Sequence, residues 1–158
     1  MTGRLCHGKL SILRLGAGRR SRSHKRLSGT PRDLYDALSA GVWRAETCAP
    51  RLRNGWTEEN KTLGQCSITA FLAQDIFGGK VCGIRRPDGN YHCYNVVDGH
   101  IFDLTSEQFG DEKLLYDNNP EQFREVHFAK EEKRLRYELL RRLLREQCGL
   151  RTDGGAMS

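Results

Sequence analysis

The chain has 158 residues, of which 37% are hydrophobic and 29% charged, and its formal net charge is +6 at pH 7. A chain of this length fits one domain with a sizeable core, and the composition is that of a charge-rich globular protein. No apolar run approaches the length of a membrane span, and the N-terminus lacks an apolar segment of signal-peptide length. We therefore expect a cytoplasmic protein that has no membrane partner.

The two ends of the chain differ in composition from the part between them. Residues 1–29 are rich in Arg, Lys, Gly and Ser and offer little apolar surface to bury, so this basic extension is predicted to be disordered, as is the tail 150–158. A basic arm of this kind can bind nucleic acid, but no aromatic residues lie between its basic ones for base stacking, so a solvated tail is favoured. Residues 30–149 are predicted to form a single α+β domain.

The domain begins with a helix and continues with a long loop. Thr30 is a capping residue followed by Pro31 at the first helical position, and Gly41 predicts that the helix ends nearby. Residues 43–63 are mostly loop. Trp43, the first tryptophan of this loop, is expected in the core. Trp56 is consistent with either the core or the wall of a cleft.

A second helix is predicted to begin at Cys66 and to end at Gly78-Gly79, which suit a C-terminal cap. Nearly all of its faces are apolar, so we expect it to be the buried central helix. Gln65 precedes it and either donates an amide N–H to an oxyanion or helps to cap the helix.

Three short strands are predicted to follow, and the last two form a hairpin. Asp98-Gly99 between two alternating runs indicates a two-residue loop. This register places His92 and Asp103 as diagonal neighbours on one face, with Cβ atoms roughly 7 Å apart. Tyr94 shares that face, whereas Asn95 lies on the other one and is not expected to orient His92.

Cys66, His92 and Asp103 thus suit cysteine-dependent acyl transfer. A helix N-terminus favours a thiolate, and its N–H groups can bind an oxyanion. His92 would accept the thiol proton, and Asp103 would fix the tautomer of the imidazole. The alternative is that the three are structural residues, a buried cysteine, a strand histidine and an aspartate near a turn, in a binding domain that has no catalytic activity.

The six cysteines predict neither a disulfide framework nor a metal site, because their spacing contains no CxxC pair. Zinc held by Cys66, His92 and Cys93 is disfavoured because the last two side chains point to opposite faces of their strand. We expect no cofactor and no metal.

The C-terminal third is predicted to contain a polar loop over residues 110–120, a helical piece over 121–126 and a long amphipathic helix that ends at Gly149. His127 is more consistent with packing than with a role as a second imidazole in the cleft. The long helix is expected to pack its leucines on the domain, and a homodimer contact or nucleic-acid binding are its alternatives.

The segments GQC, HCYNVVDGHIFDLT and the closing Asp-Leu-Thr resemble transglutaminase-like cysteine domains, whose pattern is Cys, His-x-Trp-Asn and Asp-x-Thr. Cys66, His92 and Asp103 match that triad, and Tyr94 replaces the usual indole. A closer resemblance, over most of the chain from about Gly41 onward, is to the YunG-like family of small bacterial proteins.

The resemblance implies a papain-like or transglutaminase-like α+β fold, in which a central helix that carries Cys66 packs on a small antiparallel sheet. It also implies a cysteine-dependent hydrolase or acyl transferase that acts on an amide or thioester. Gln65, Trp56 and Tyr94 would line the oxyanion or substrate site. The substrate class, whether peptide, protein or small amide, stays open at this point, and a non-catalytic binding module and a nucleic-acid-associated protein are the alternatives.

Overall fold

The structure is a computed structural model that describes residues 29–149. Most of the predicted basic extension and all of the predicted tail lie outside these residues, as does Cys6. The helices and strands follow in the order α1 (Pro31–Ala37), α2 (Cys66–Phe77), β1 (Lys80–Arg85), β2 (Tyr91–Val97), β3 (His100–Phe102), β4 (Glu121–Gln122), α3 (Arg124–His127) and α4 (Glu131–Gln147). The chain is therefore α+β, with a small antiparallel sheet and a long C-terminal helix.

The start of α1 follows from its local sequence. The Thr30 hydroxyl accepts a hydrogen bond from the Asp33 N–H at 3.0 Å, and the Asp33 carboxylate accepts one from the Thr30 N–H at 3.2 Å. This reciprocal pair satisfies two N–H groups that the first helical turn leaves without a partner. A π-helical turn over Leu38–Val42 continues α1, and Gly41 within it has φ +111°, as the predicted break requires.

The sheet has the strand order β3-β2-β1-β4 with antiparallel neighbours. The predicted hairpin register is confirmed where β2 and β3 pair, because Val97 lies opposite His100 and Asn95 opposite Phe102. Both loop residues have positive φ values, 51° at Asp98 and 80° at Gly99, as a type I′ turn demands.

The hairpin is shorter than the alternation of residues predicts. β3 ends at Phe102. The two-residue loop would place Asp103 opposite Tyr94 and Thr105 opposite His92, and this expected pairing is wrong. Asp103 accepts a hydrogen bond from the Thr105 N–H at 3.1 Å, and this local turn directs the chain away from β2.

The helical piece predicted over residues 121–126 is also wrong at its start. Glu121–Gln122 form β4, which pairs with Cys82 and Val81 of β1, and the helix α3 begins only at Arg124. Pairing with the edge of β1 provides hydrogen-bond partners for the backbone of this segment. A strand of two residues has no sequence pattern from which that pairing could be predicted.

Helix α2 packs on the sheet and on α4 to form the core. The Asn95 side-chain amide donates to the Ala70 carbonyl oxygen at 2.9 Å, so α2 covers the face of β2 that also carries Cys93. The side of α4 that is buried carries Tyr137, Leu140 and Leu144. Of the leucines predicted to pack, Leu144 is buried, whereas Leu135 is half exposed. No helix within residues 29–149 is long and apolar enough to cross a membrane.

Candidate active site

Cys66 is the first residue of α2, and the residue as a whole is partly exposed. Its Sγ donates a long hydrogen bond to the Tyr91 carbonyl oxygen at 3.7 Å. The N-terminal turn of a helix presents free N–H groups and the positive end of the helix dipole. The thiol therefore lies between the start of α2 and the backbone of β2.

The backbone beside this thiol is open because β3 is short. The Arg86 N–H donates to the Asn90 carbonyl oxygen at 2.7 Å, and residues bonded directly to the partner strand alternate along an antiparallel ladder. In the register of β1 with β2, the backbone groups of Tyr91 and Cys93 therefore point towards the β3 side. Since β3 ends opposite Asn95, no strand within residues 29–149 covers these groups, and the Cys66 thiol occupies this edge.

His92 and Asp103 form a buried pair beside the same edge. The His92 Nε2 and Asp103 Oδ2 atoms are 2.7 Å apart, and the two side chains are only 1% and 0% exposed. Oδ2 also accepts a hydrogen bond from the Tyr116 hydroxyl at 2.7 Å, and the Phe109 ring packs edge-on against the imidazole at 4.8 Å. The carboxylate is thus held by donors and the imidazole is held in one orientation.

The second imidazole nitrogen is the one available to the thiol. His92 Nδ1 is buried and has no aligned hydrogen bond, while the Cys66 side chain is a hydrogen-bonding neighbour of the ring. With Nε2–H donating to Asp103, Nδ1 carries the lone pair. In the resting arrangement the thiol donates to Tyr91, so a small rotation of the Cys66 side chain would direct its proton to Nδ1.

The surroundings favour the charged forms of both groups. A hydrogen bond from the Cys93 side chain lowers the pKa of Cys66 well below its usual 9.0, against the effect of burial, and the bond to His92 lowers it further. Burial lowers the pKa of His92, but the hydrogen bonds to Asp103 and Cys66 outweigh burial and raise it to about 10. These directions favour transfer of the Cys66 proton to His92, which leaves a reactive thiolate.

Cys93 was not among the residues that the sequence singles out as catalytic. Its hydrogen bond to Cys66, together with burial, raises the pKa of its thiol well above 9.0, so Cys93 stays a neutral donor. His92 and Cys93 do point to opposite faces of β2, but both contact Cys66 because that thiol lies at the edge of the strand. Within the described part of the chain, no group of three or more His, Cys, Asp and Glu side chains could hold a metal ion.

The three weaker candidates from the sequence lie at different distances from this chemistry. Gln65 is fully buried, and its Nε2 donates to the Arg44 carbonyl oxygen at 3.1 Å. Trp56 is partly exposed, and its Nε1 donates to the Lys61 carbonyl oxygen at 2.9 Å. Both donors are thus used within the domain.

Tyr94 lies behind the acid of the pair. Its ring packs edge-on against Tyr116 at 4.9 Å, and its hydroxyl donates to the Tyr116 carbonyl oxygen at 3.2 Å. Tyr94 therefore positions Tyr116, the residue that donates to Asp103. Tyr116 lies in the polar loop after β3. No motif or periodic pattern surrounds it there, so the sequence does not predict its contact with Asp103.

His127 belongs to a hydrogen-bonded chain on the α2 side of the sheet, and the Lys133 charge at one end of this chain interacts with Cys66 and Cys93. The Lys133 Nζ lies 2.8 Å from His127 Nδ1, and His127 Nε2 lies 3.0 Å from Gln122 Oε1. Burial and the charge of Lys133 lower the pKa of His127 to about 4, so this imidazole is neutral at pH 7. The His127 ring also packs on Phe71 at 5.2 Å, in line with the expected packing role.

Comparison with known proteins places the chain in a family. The model of the family described as YunG protein matches residues 30–149. A Bacillus subtilis (strain 168) protein named "Uncharacterized protein YunG" is 38% identical over an alignment of 85 residues, which covers 47% of this chain and 73% of the relative. No solved structure is significantly similar to the chain. None of these comparisons links it to transglutaminase-like or papain-like proteins, so that resemblance stays a prediction from the motifs.

Proposed function

This chain belongs to the YunG family, and we propose that it is a cysteine-dependent hydrolase or acyl transferase that acts on an amide or thioester. One observation carries the proposal: the Cys66 thiol lies between the start of α2 and an imidazole whose other nitrogen is 2.7 Å from a buried carboxylate. These are the three parts that an activated thiol nucleophile needs.

The first half of the reaction would form a thioester with the enzyme. The Cys66 proton passes to His92 Nδ1, and the thiolate attacks the carbonyl carbon of the substrate, which forms a C–S bond and an oxyanion. The backbone N–H groups in the first turn of α2 are the nearest set of donors for that oxyanion, since the Gln65 amide donates to Arg44. The bond to the leaving amine or thiol then breaks, and the leaving group takes the proton from His92.

The second half would return the enzyme to its starting state. His92 removes a proton from water or from an acceptor amine, which attacks the thioester carbonyl, and Cys66 leaves as a thiolate. Asp103 steadies the imidazolium in both halves through its hydrogen bond to Nε2. The carboxylate is held in place by hydrogen bonds with His92, Thr105 and Tyr116.

We also propose that the site is organised as in transglutaminase-like and papain-like domains. Cys66 at a helix start, His92 on a strand and Asp103 beyond the next strand follow each other in the order that the resemblance implies. The support is the arrangement of the three side chains around one edge of β2.

The test is the pH dependence of iodoacetamide alkylation at each cysteine, read by mass spectrometry. We expect Cys66 of the wild type to react well below pH 8.5, the usual pKa of a thiol, and His92→Gln to slow this reaction about tenfold or more at pH 6.5. The matched control is His100→Gln, which removes an exposed imidazole at the turn end of the hairpin and should leave the rate unchanged. Equal rates in the wild type and His92→Gln would contradict the proposal.

A non-catalytic binding module on the same fold is the second candidate. The observation that favours it is the resting hydrogen bond of the thiol to Tyr91 rather than to His92 Nδ1. In that case Cys66 should alkylate with an ordinary thiol pKa and should not respond to His92→Gln, so one experiment separates the two candidates.

The nucleic-acid alternative gains no support from α4. Arg134, Arg136 and Arg142 each pair with a glutamate one turn away. These intrahelical pairs reduce the positive potential that a phosphate backbone would require.

A further inference from the structure

Two thiols meet at the start of α2. The Asn95 side chain donates a hydrogen bond to the Ala70 carbonyl oxygen at 2.9 Å, so Asn95 of β2 lies beside Ala70 of α2. Cys66 precedes Ala70 by four residues, about 6 Å along the helix, and Cys93 precedes Asn95 by two, about 6.6 Å along the strand. Cys66 and Cys93 therefore lie at the same level, and the Cys66 Sγ contact with Tyr91 holds its thiol against the strand.

The two thiols differ in the properties that matter for oxidation. Cys66 is partly exposed and packs against the core cluster that contains Cys93, which is itself only 1% exposed. Cys66 is therefore the residue of this pair that lies nearer to solvent. A reactive exposed cysteine with a buried thiol beside it is the arrangement of a peroxidatic and a resolving cysteine.

We propose that Cys66 and Cys93 form a reversible disulfide when the protein meets a peroxide, and that this disulfide protects and silences the Cys66 nucleophile. The inference goes beyond the proposed acyl chemistry, because it requires a reactive thiol at Cys66 but no amide or thioester substrate.

The oxidation balances in two steps. The Cys66 thiolate attacks one peroxide oxygen, the O–O bond breaks, and Cys66 becomes a sulfenic acid while hydroxide leaves and takes the proton of the His92 imidazolium. The Cys93 sulfur then attacks the Cys66 sulfur, an S–S bond forms and the S–O bond breaks. The Cys93 proton leaves with the hydroxyl group as water, so two thiols and one peroxide give one disulfide and two waters.

Two other buried cysteines, Cys82 and Cys48, are poorer partners for Cys66. Cys82 pairs with Tyr94 in the sheet register, so its side chain lies on the face opposite to Cys93. Cys48 is buried against Gly64, and its thiol donates to the Ala49 carbonyl oxygen at 3.5 Å. Cys93 is the thiol that lies beside Cys66, on the face of β2 that α2 covers.

The experiment treats the full chain with stoichiometric hydrogen peroxide and maps the peptides by mass spectrometry under non-reducing conditions. In the wild type we expect the Cys66–Cys93 disulfide as the main product, and dithiothreitol should restore alkylation of Cys66. In Cys93→Ser the sulfenic acid cannot be resolved, so dimedone should trap it, and the yield of sulfinic acid at Cys66 should rise about tenfold. Cys48→Ser is the matched control and should behave as the wild type.

Three outcomes would overturn the inference: no disulfide at Cys66 in the wild type, a disulfide between Cys66 and Cys48, or equal over-oxidation of Cys66 in the wild type and Cys93→Ser. The wild-type map gives this answer even if Cys93→Ser fails to fold. The result is separable from the proposed function. Loss of the His92→Gln effect on alkylation rejects the catalytic pair, whereas absence of the disulfide with that effect intact rejects only the redox pair.

Discussion

His92 Nε2 and Asp103 Oδ2 lie 2.7 Å apart, although Asp103 lies beyond the end of β3 and does not pair with β2. The contact therefore depends on the turn at Asp103–Thr105 rather than on the strand ladder. A carboxylate placed by a turn can accept donors from several directions. Tyr116 reaches the same oxygen from the loop that follows, which a paired strand residue would not allow.

Removal of the Asp103 charge should weaken the thiolate at Cys66. In Asp103→Asn the imidazolium of His92 loses its charged partner, and the pKa of His92 should fall by about 1–3 units. The proton then returns to the Cys66 thiol more readily, so we expect iodoacetamide alkylation of Cys66 at pH 6.5 to slow about tenfold. Asp111→Asn, an exposed change of the same kind, should leave the rate unaltered. An unchanged rate in Asp103→Asn would show that the carboxylate does not support the pair.

Tyr116→Phe should destabilise the domain more than an equivalent change at the surface. Burial and the Asp103 charge raise the pKa of Tyr116, so its hydroxyl stays protonated and donates to the carboxylate. Loss of a hydrogen bond to a buried charged group costs about 1.5–3 kcal/mol. The control is Tyr35→Phe, whose hydroxyl donates to Glu107 in an exposed setting and should cost less than about 1 kcal/mol. Urea unfolding would measure both, and equal losses would refute a structural role for Tyr116.

Two adjacent glycines should respond differently to alanine. Gly78 and Gly79 have φ values of +82° and +75°, so each substitution carries backbone strain of about 1–3 kcal/mol. An added Cβ at Gly78 would meet nothing within 4 Å, whereas one at Gly79 would lie 2.2 Å from the Val96 carbonyl oxygen. Val96 belongs to the β1–β2 ladder and cannot move freely. We expect a loss above about 4 kcal/mol for Gly79→Ala and a clearly smaller one for Gly78→Ala, both measured by urea unfolding.

The charged pair at the site predicts a particular pH dependence of stability. The pKa of His92 rises from 6.5 to about 10 on folding, so its contribution is complete below pH 6.5 and is lost as pH rises through 10. The pKa of Cys66 falls below 9.0, so its contribution is complete above pH 9 and is lost as pH falls through the lowered pKa. Between pH 6.5 and 9 the contribution of His92 to the free energy of unfolding falls with pH while that of Cys66 rises. The two cancel, because the folded and unfolded states bind equal numbers of protons at these two residues.

The measurement compares the free energy of unfolding of the wild type with that of the double variant Cys66→Ser/His92→Gln from pH 5 to 10. The difference between them should be flat from about pH 6.5 to 9 and should fall on both sides, with a limiting slope of about 1.4 kcal/mol per pH unit. A difference that rises or falls steadily through the neutral range would mean that only one of the two groups is charged in the folded protein.

The sequence by itself determined the parts of the fold that depend on residues close together in the chain. The Thr30 cap, the end of α2 at Gly78 and the Asp98-Gly99 turn each follow from a few neighbouring residues, because caps and tight turns are stabilised by local hydrogen bonds and by permitted φ values. The register of the turn also placed His92 and Asp103 on one side of the hairpin, even though the ladder ended earlier than expected.

Only the tertiary structure decided what surrounds the thiol. The early end of β3 opened the edge of β2 to Cys66, and Cys93 met Cys66 because α2 lies across that strand. Tyr116 reached Asp103 from a loop that no periodicity describes. These contacts join residues that are far apart in sequence, and their free energy depends on burial and on alignment of donors. Local sequence propensity depends on neither burial nor donor alignment, so these contacts are determined by the packing of the folded chain.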